Sequence, residues 1–166
     1  HPTFLSAAKV ANITYGVPTN HGLSGEFTYF VFNKDLLDRY GYKMEDLNDY
    51  AKLGDYLQLI KRNVPGVWPI SGPCHKANTE VYEDAFVTTS TSFNNTGSGL
   101  TALLKETSYV NYLKAVQDYK QKGYYPSQNV NGAKYAIEIV KTDEILEKEW
   151  TQNGTTYCTY LYDVPR

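Results

Sequence analysis

The stretch Phe27–Tyr42, "FTYFVFNKDLLDRYGY", constrains the fold more than any other. Phe27–Phe32 is a nearly unbroken run of aromatic and β-branched residues, the pattern of a strand covered on both faces. Asn33 follows as an N-cap, with Lys34-Asp35 in the first turn and Leu36, Leu37 and Tyr40 facing inward. Gly41 then closes a helix from its C′ position. A central strand feeding a capped helix is a building block of layered α/β domains.

The elements further along agree with that class. Ile13, Tyr15 and Val17 alternate as in a strand edge, and Asn20–Glu26 has turn composition. Leu47, Tyr50, Leu53, Leu57 and Ile60 recur every three or four residues, and Lys61-Arg62 occupy the last turn of the helix this predicts. Val67–Ile70 reads as a short strand between prolines, which favours an edge. Residues 72–100 are polar and read as a long excursion or a hairpin, with one strand predicted at Ala85–Thr89. Tyr109, Tyr112 and Tyr119 lie on the apolar stripe of a helix capped by Thr107 or Ser108 and are expected in the core. "KYAIEIV" alternates as a strand, and Thr142 opens a predicted short helix toward Trp150. Asn153-Gly154 turns the chain, and "TYCTYLYDV" ends it as a strand. The sum is one domain over residues 1–166: α/β, a mixed β-sheet flanked by helices.

A net charge of −2 gives no electrostatic case for nucleic acid or an anionic membrane. No stretch has the apolar length for a bilayer span. Cys74 and Cys158 match no zinc or redox spacing; a disulfide and two buried thiols both remain open. The sequons at Asn12, Asn94 and Asn153 are chance-level matches. His1, His21 and His75 accompany no G-x-S-x-G, metal-binding repeat or phosphate loop, so no metal site and no cofactor is expected. Glycoside hydrolysis by dispersed acids, with Glu26, Glu80, Glu83, Asp84 and Glu144 as candidates, leaves no local pattern to test.

What remains is a vocabulary for binding. The chain has 16 Tyr, 2 Trp and 6 Phe against 1 Met. Tyr15, Glu26, Tyr29, Trp68, Tyr124-Tyr125 and Trp150 fall at or near predicted strand ends and loops, where open α/β sheets place their ligand crevices. Aromatic faces stack on the C–H faces of sugars while carboxylates and amides bond the hydroxyls. Packing is the competing role for each aromatic, and for Trp150, on its predicted amphipathic helix, it is favoured.

"ITYGVPTN…FTYFVFNKDLLDRYGY" resembles the segment of family 1 extracellular solute-binding proteins in which the chain crosses from the first lobe to the second. "LNDYAKLGDYLQLIKRNVPGVWPISG", "YVNYLKAVQDYKQKGYYPSQ", "GAKYAIEIVKTDEILEKEW" and "YCTYLYDVPR" are similar, in order, to the segments that follow there. The closest flavour is the saccharide-binding lipoproteins of Gram-positive ABC importers. The resemblance implies a type II periplasmic-binding-protein-like fold in which two lobes close on a ligand. Family members are much longer and carry a signal peptide, a lipobox cysteine and a first lobe, so the expectation is an isolated second lobe.

That resemblance implies a non-catalytic, extracytoplasmic protein, attached to the cell envelope or periplasmic, that captures a solute, with a saccharide favoured. Its partners would be that solute and a membrane permease, with no nucleic acid and no direct membrane insertion. The cleft-facing positions it implies are Asn20, Glu26 and Tyr29, then Trp68, then Lys141 and Asp143. The alternatives are a carbohydrate-active enzyme domain using acidic residues and a Tyr-rich adhesion or scaffold module.

Overall fold

The computed structural model describes residues 9–10, 13–14, 26–74, 85–87, 91–94, 100–102, 107–128 and 130–163. Its centre is a five-stranded mixed sheet. β3 (Phe27–Asn33) lies between β8 (Lys134–Thr142) and β10 (Thr155–Asp163), antiparallel to both. β4 (Val67–Ile70) runs parallel to β8 at one edge, and β9 (Glu149–Gln152) forms the other, giving the order β4-β8-β3-β10-β9. Two smaller sheets stand apart from it in the pairing: β1 (Lys9–Val10) with β2 (Ile13–Thr14), and β5 (Ala85–Val87), β6 (Thr91–Asn94) and β7 (Leu100–Ala102) in antiparallel order.

The Phe27–Tyr42 stretch folds as its chemistry dictates. Phe30 and Phe32 are fully buried on the helix-covered face of the sheet, and Tyr29 and Val31 are buried on the other. The Asn33 Oδ1 accepts from the Leu36 N–H at 3.2 Å and starts α1 (Lys34–Tyr40). Such a cap contributes about 1 kcal/mol. Gly41, at φ +71°, ends the helix, and the Tyr42 N–H reaches back to the Leu37 carbonyl at 3.0 Å. Asp35 in the first turn of α1 is structural as well. The Asp35 Oδ2 accepts from the Thr156 N–H at 3.2 Å, tying α1 to the β9–β10 turn.

The helix predicted across Leu47–Ile60 is instead three pieces. Two 3₁₀ turns, Met44–Leu47 and Tyr50–Lys52, precede α2 (Gly54–Asn63). The Asp49 carboxylate accepts from the Ala51 N–H at 3.0 Å and restarts the chain, while three-residue spacing keeps Leu47, Tyr50 and Leu53 on the buried side. α3 (Thr107–Gln121) packs against the second 3₁₀ turn, Tyr119 Oη donating to the Tyr50 carbonyl at 3.0 Å, and Lys61 Nζ of α2 donates to the Gly123 carbonyl just beyond α3 at 3.1 Å. Of the tyrosines expected in the core, Tyr119 is buried, whereas Tyr109 and Tyr112 are half-buried. Tyr112 packs against the core through Tyr50, ring centroids 5.5 Å apart.

A second correction concerns residues 142–152. The predicted helix toward Trp150 is absent; β8 continues to Thr142, and Trp150 lies in β9. Asn153 and Gly154, at φ +51° and +79°, make a two-residue hairpin turn, and Trp150 stacks on Tyr157 at 5.6 Å. The cysteines are both buried and are not joined: Cys74 and Cys158 are thiols. Burial, chiefly, and the carboxylate of Glu149 push the Cys158 thiol up to about 11.

Candidate functional site

Strand direction decides which residues can meet. β3 is antiparallel to β8, so the end of β8 and the beginning of β3 share one end of the sheet, while β4, parallel to β8, stops at Ile70 opposite Ile137, short of that end. There Phe27 pairs with Thr142, Thr28 with Lys141, and Asp163 of β10 with Thr28 on its other side. Directly paired residues share a face. Lys141, Thr28 and Asp163 therefore form a row across three strands, with exposed Glu26 one residue before β3 and exposed Asp143 one residue after β8.

This rim is held by the chain around it. The Thr142 hydroxyl accepts from the Glu144 N–H at 3.1 Å, fixing the turn that carries Asp143. Residues 146–148 are then strapped across the sheet. The Leu146 N–H donates to the Tyr29 hydroxyl at 3.4 Å, the Thr159 hydroxyl donates to the Glu147 carbonyl at 2.9 Å, and the Thr159 N–H donates to the Lys148 carbonyl at 3.0 Å. At the end of β4, the Ser71 N–H bonds the Ile137 carbonyl at 3.0 Å. Its hydroxyl accepts from the Ile139 N–H at 2.9 Å, replacing a ladder bond where the strand leaves the sheet.

Glu26, Lys141 and Asp143 thus lie at one end of the sheet, with two carboxylates and one ammonium on adjacent strand termini. Tyr29 is near them but only 4% exposed, its ring against Phe27 and its hydroxyl engaged by Leu146, so its face does not meet solvent. Trp68 is elsewhere. It pairs with Tyr135 at the start of β8, about 20 Å of strand from Lys141. There its ring lies under Lys61 Nζ, 5.2 Å from the centroid. Asn20 and Tyr15 lie outside the described residues, as do Glu80 and Glu83 and the Asp84 of the hydrolase alternative. Tyr124 is buried and Tyr125 is half-buried with its hydroxyl on the Val116 carbonyl at 3.2 Å, so both pack.

Nothing local in the sequence marks Asp163 as a member of this rim. Only the pairing of the last strand with β3, a contact between distant segments, identifies Asp163 as a neighbour of Lys141's row. Three grooves lie away from the rim. One of about 600 Å³ runs between α2 and α3 and includes Asp49, Asp55, Asn111 and Asp118. A second, of about 490 Å³, lies around Trp68, and a third, of about 350 Å³, lies beside Cys158. Glu26 and Glu144 line none of these three. No group of His, Cys, Asp and Glu that could hold a metal ion occurs among the described residues.

No protein-family model and no curated protein sequence matches the chain. Solved structures do. The N-glycan transport solute binding protein NgtS of Streptococcus pneumoniae in complex with Man1GlcNAc superposes with a TM-score of 0.50 at 18% identity. The same protein without that ligand, and in complex with Man5GlcNAc, gives 0.49 at 18% and 19% identity. Each comparison covers 86% of this chain and 34% of NgtS, so the chain spans about a third of that protein's length. The mixed sheet and its helices share the fold of a part of that solute-binding protein.

Proposed function

We propose that this chain is the second lobe of a two-lobed solute-binding protein of the type II periplasmic-binding-protein kind, working outside the cytoplasmic membrane. It captures a saccharide between its rim and the opposing lobe and delivers it to the permease of an ABC importer, the whole protein being anchored to the cell envelope as a lipoprotein. The lobe is a binding module, not an enzyme. The observation that carries this reading is the gathering of Glu26, Lys141 and Asp143 on adjacent strand ends of a sheet whose fold matches part of a solute-binding protein. Carboxylates accept hydrogen bonds from sugar hydroxyls, and an ammonium donates to them. NgtS has been crystallised with Man1GlcNAc, which supports an oligosaccharide as the solute.

One rim supplies half of a clamshell's contacts. Affinity rests on desolvated contacts enclosed from both sides, so the lobe alone binds far more weakly than the closed pair. The reading is tested on the full-length parent by isothermal titration with neutral oligosaccharides. Glu26→Ala and Asp143→Ala are each expected to weaken binding at least tenfold, with unchanged melting temperatures because both side chains are exposed. Unchanged affinity in both variants would remove the rim from the binding site.

A further inference from the structure

We infer that the end of the sheet opposite the rim carries a second, separate site for an anionic saccharide, a carboxylated or phosphorylated sugar, in the groove between the turns that open β4 and β8. The groove measures about 490 Å³, within the size of small-ligand sites. Pro65, Gly66 and Trp68 form one wall; Asn131, Gly132 and Lys134 form the other. Gly66 and Gly132, at φ +80° and +73°, bend the two walls. A Cβ would meet nothing within 4 Å at either glycine, so space is left open there.

Charge selects the ligand. Asp and Glu are absent from residues 56–74 and 119–137, which carry Lys61, Arg62, Lys120, Lys122 and Lys134. Of these, Lys134 lines the groove and Lys61 stands over its Trp68, in a chain whose net charge is −2. Lys122 is paired with Asp118 at 2.7 Å, and Lys61 is held by the Gly123 carbonyl and over Trp68. Lys134 is exposed. An indole beside an amide and cations matches a sugar ring that bears an anionic group: the apolar wall meets its C–H face, Asn131 its hydroxyls, and Lys134 its charge. This site does not depend on the rim, and its failure would leave the rim reading intact.

The test is a heteronuclear NMR titration of the ¹⁵N-labelled chain with trigalacturonate and with glucose 6-phosphate, against maltotriose and inorganic phosphate. At least one anionic sugar is expected to shift resonances of residues 65–68 and 130–134. Lys134→Glu, with its far-UV circular dichroism unchanged, should weaken that binding at least tenfold, and Trp68→Ala should weaken it as well. The inference is overturned if neither anionic sugar shifts those residues, if maltotriose or inorganic phosphate shifts them equally, or if Lys134→Glu binds like the parent sequence. Tighter binding of long polygalacturonate than of trigalacturonate identifies a charged polymer as the source of the sugar; equal affinity identifies a free one.

Discussion

Phe30→Ala is expected to cost about 3–5 kcal/mol, the largest loss of any single truncation proposed for this chain. Phe30 has no exposed surface. Its ring stacks on Tyr162 with centroids 4.1 Å apart and an interplanar angle of 18°, and it meets the ring of Phe32 edge-on at 6.3 Å. In β3, the middle strand, Phe30 pairs with Ile139 on one side and Tyr160 on the other. Removing the ring opens a cavity beneath three strands at once, and the surrounding sheet cannot collapse without breaking its register. Urea denaturation followed by circular dichroism measures the loss. A change below about 1 kcal/mol would show that β3 is not the strand on which the core is assembled.

The second large effect has the opposite sign. Tyr50 and Tyr56 are fully buried, and neither hydroxyl has a hydrogen-bond partner among the described groups. A buried polar atom without a partner costs about 1–3 kcal/mol. Tyr50→Phe and Tyr56→Phe keep the ring contacts, Tyr42 at 5.0 Å for Tyr56 and Tyr119 at 5.3 Å for Tyr50, and delete the stranded oxygen. Each is expected to stabilise the fold by about 1 kcal/mol or more, raising the melting temperature by about 2–4 °C per kcal/mol in a chain of this size.

The same substitutions change the alkaline limb of stability. Burial, above all, and then the neighbouring tyrosines hold the Tyr50 phenol well above its ordinary value; burial does the same for Tyr56. Tyr112, packed on Tyr50, is pushed up to about 12, mainly by burial. The unfolded chain therefore releases these protons from about pH 10 while the folded chain keeps them. With fewer protons bound in the unfolded state, stability is complete below that pH and falls as pH rises through it. The phenylalanine variants should decline less steeply above about pH 10. Destabilisation in both variants at neutral pH would mean that the two hydroxyls are bonded.

Local chemistry makes the first half of the sheet legible. The run of aromatic residues in β3, the Asn33 cap and Gly41 act within a few residues of each other, and each appears where the sequence indicates. The segment after β8 misleads because "TDEILEKEW" has apolar residues at helical intervals, yet its backbone is claimed by Tyr29 and Thr159, distant in sequence. The stronger signal is Asn153-Gly154, a hairpin turn that draws residues 149–152 into a strand. The 3₁₀ breaks before α2 are hidden for a related reason, since three-residue and helical spacings both keep Leu47, Tyr50 and Leu53 inward.

The rim is partly legible. Glu26, Lys141 and Asp143 flank strand ends that the sequence marks clearly, and antiparallel pairing brings them to one end. The resemblance of the segment around Trp68 to solute-binding proteins points it to the same rim. β4, however, pairs only with Lys134–Ile137 of β8, so Trp68 lies toward the end of the sheet opposite Lys141. The aromatic character of Tyr29 suggests a stacking face, but side-chain alternation turns it under the 146–148 strap, not toward the rim.

The most direct measurement is a residue-resolved map of where a neutral oligosaccharide touches this chain. With the ¹⁵N-labelled protein and maltotriose or a mannose–N-acetylglucosamine disaccharide at millimolar concentration, chemical-shift changes are expected at Glu26–Thr28 and at Lys141–Asp143, weak and saturating. Changes confined to other surfaces, with those two segments silent for every oligosaccharide tried, would contradict the rim as the gripping edge of a solute-binding lobe.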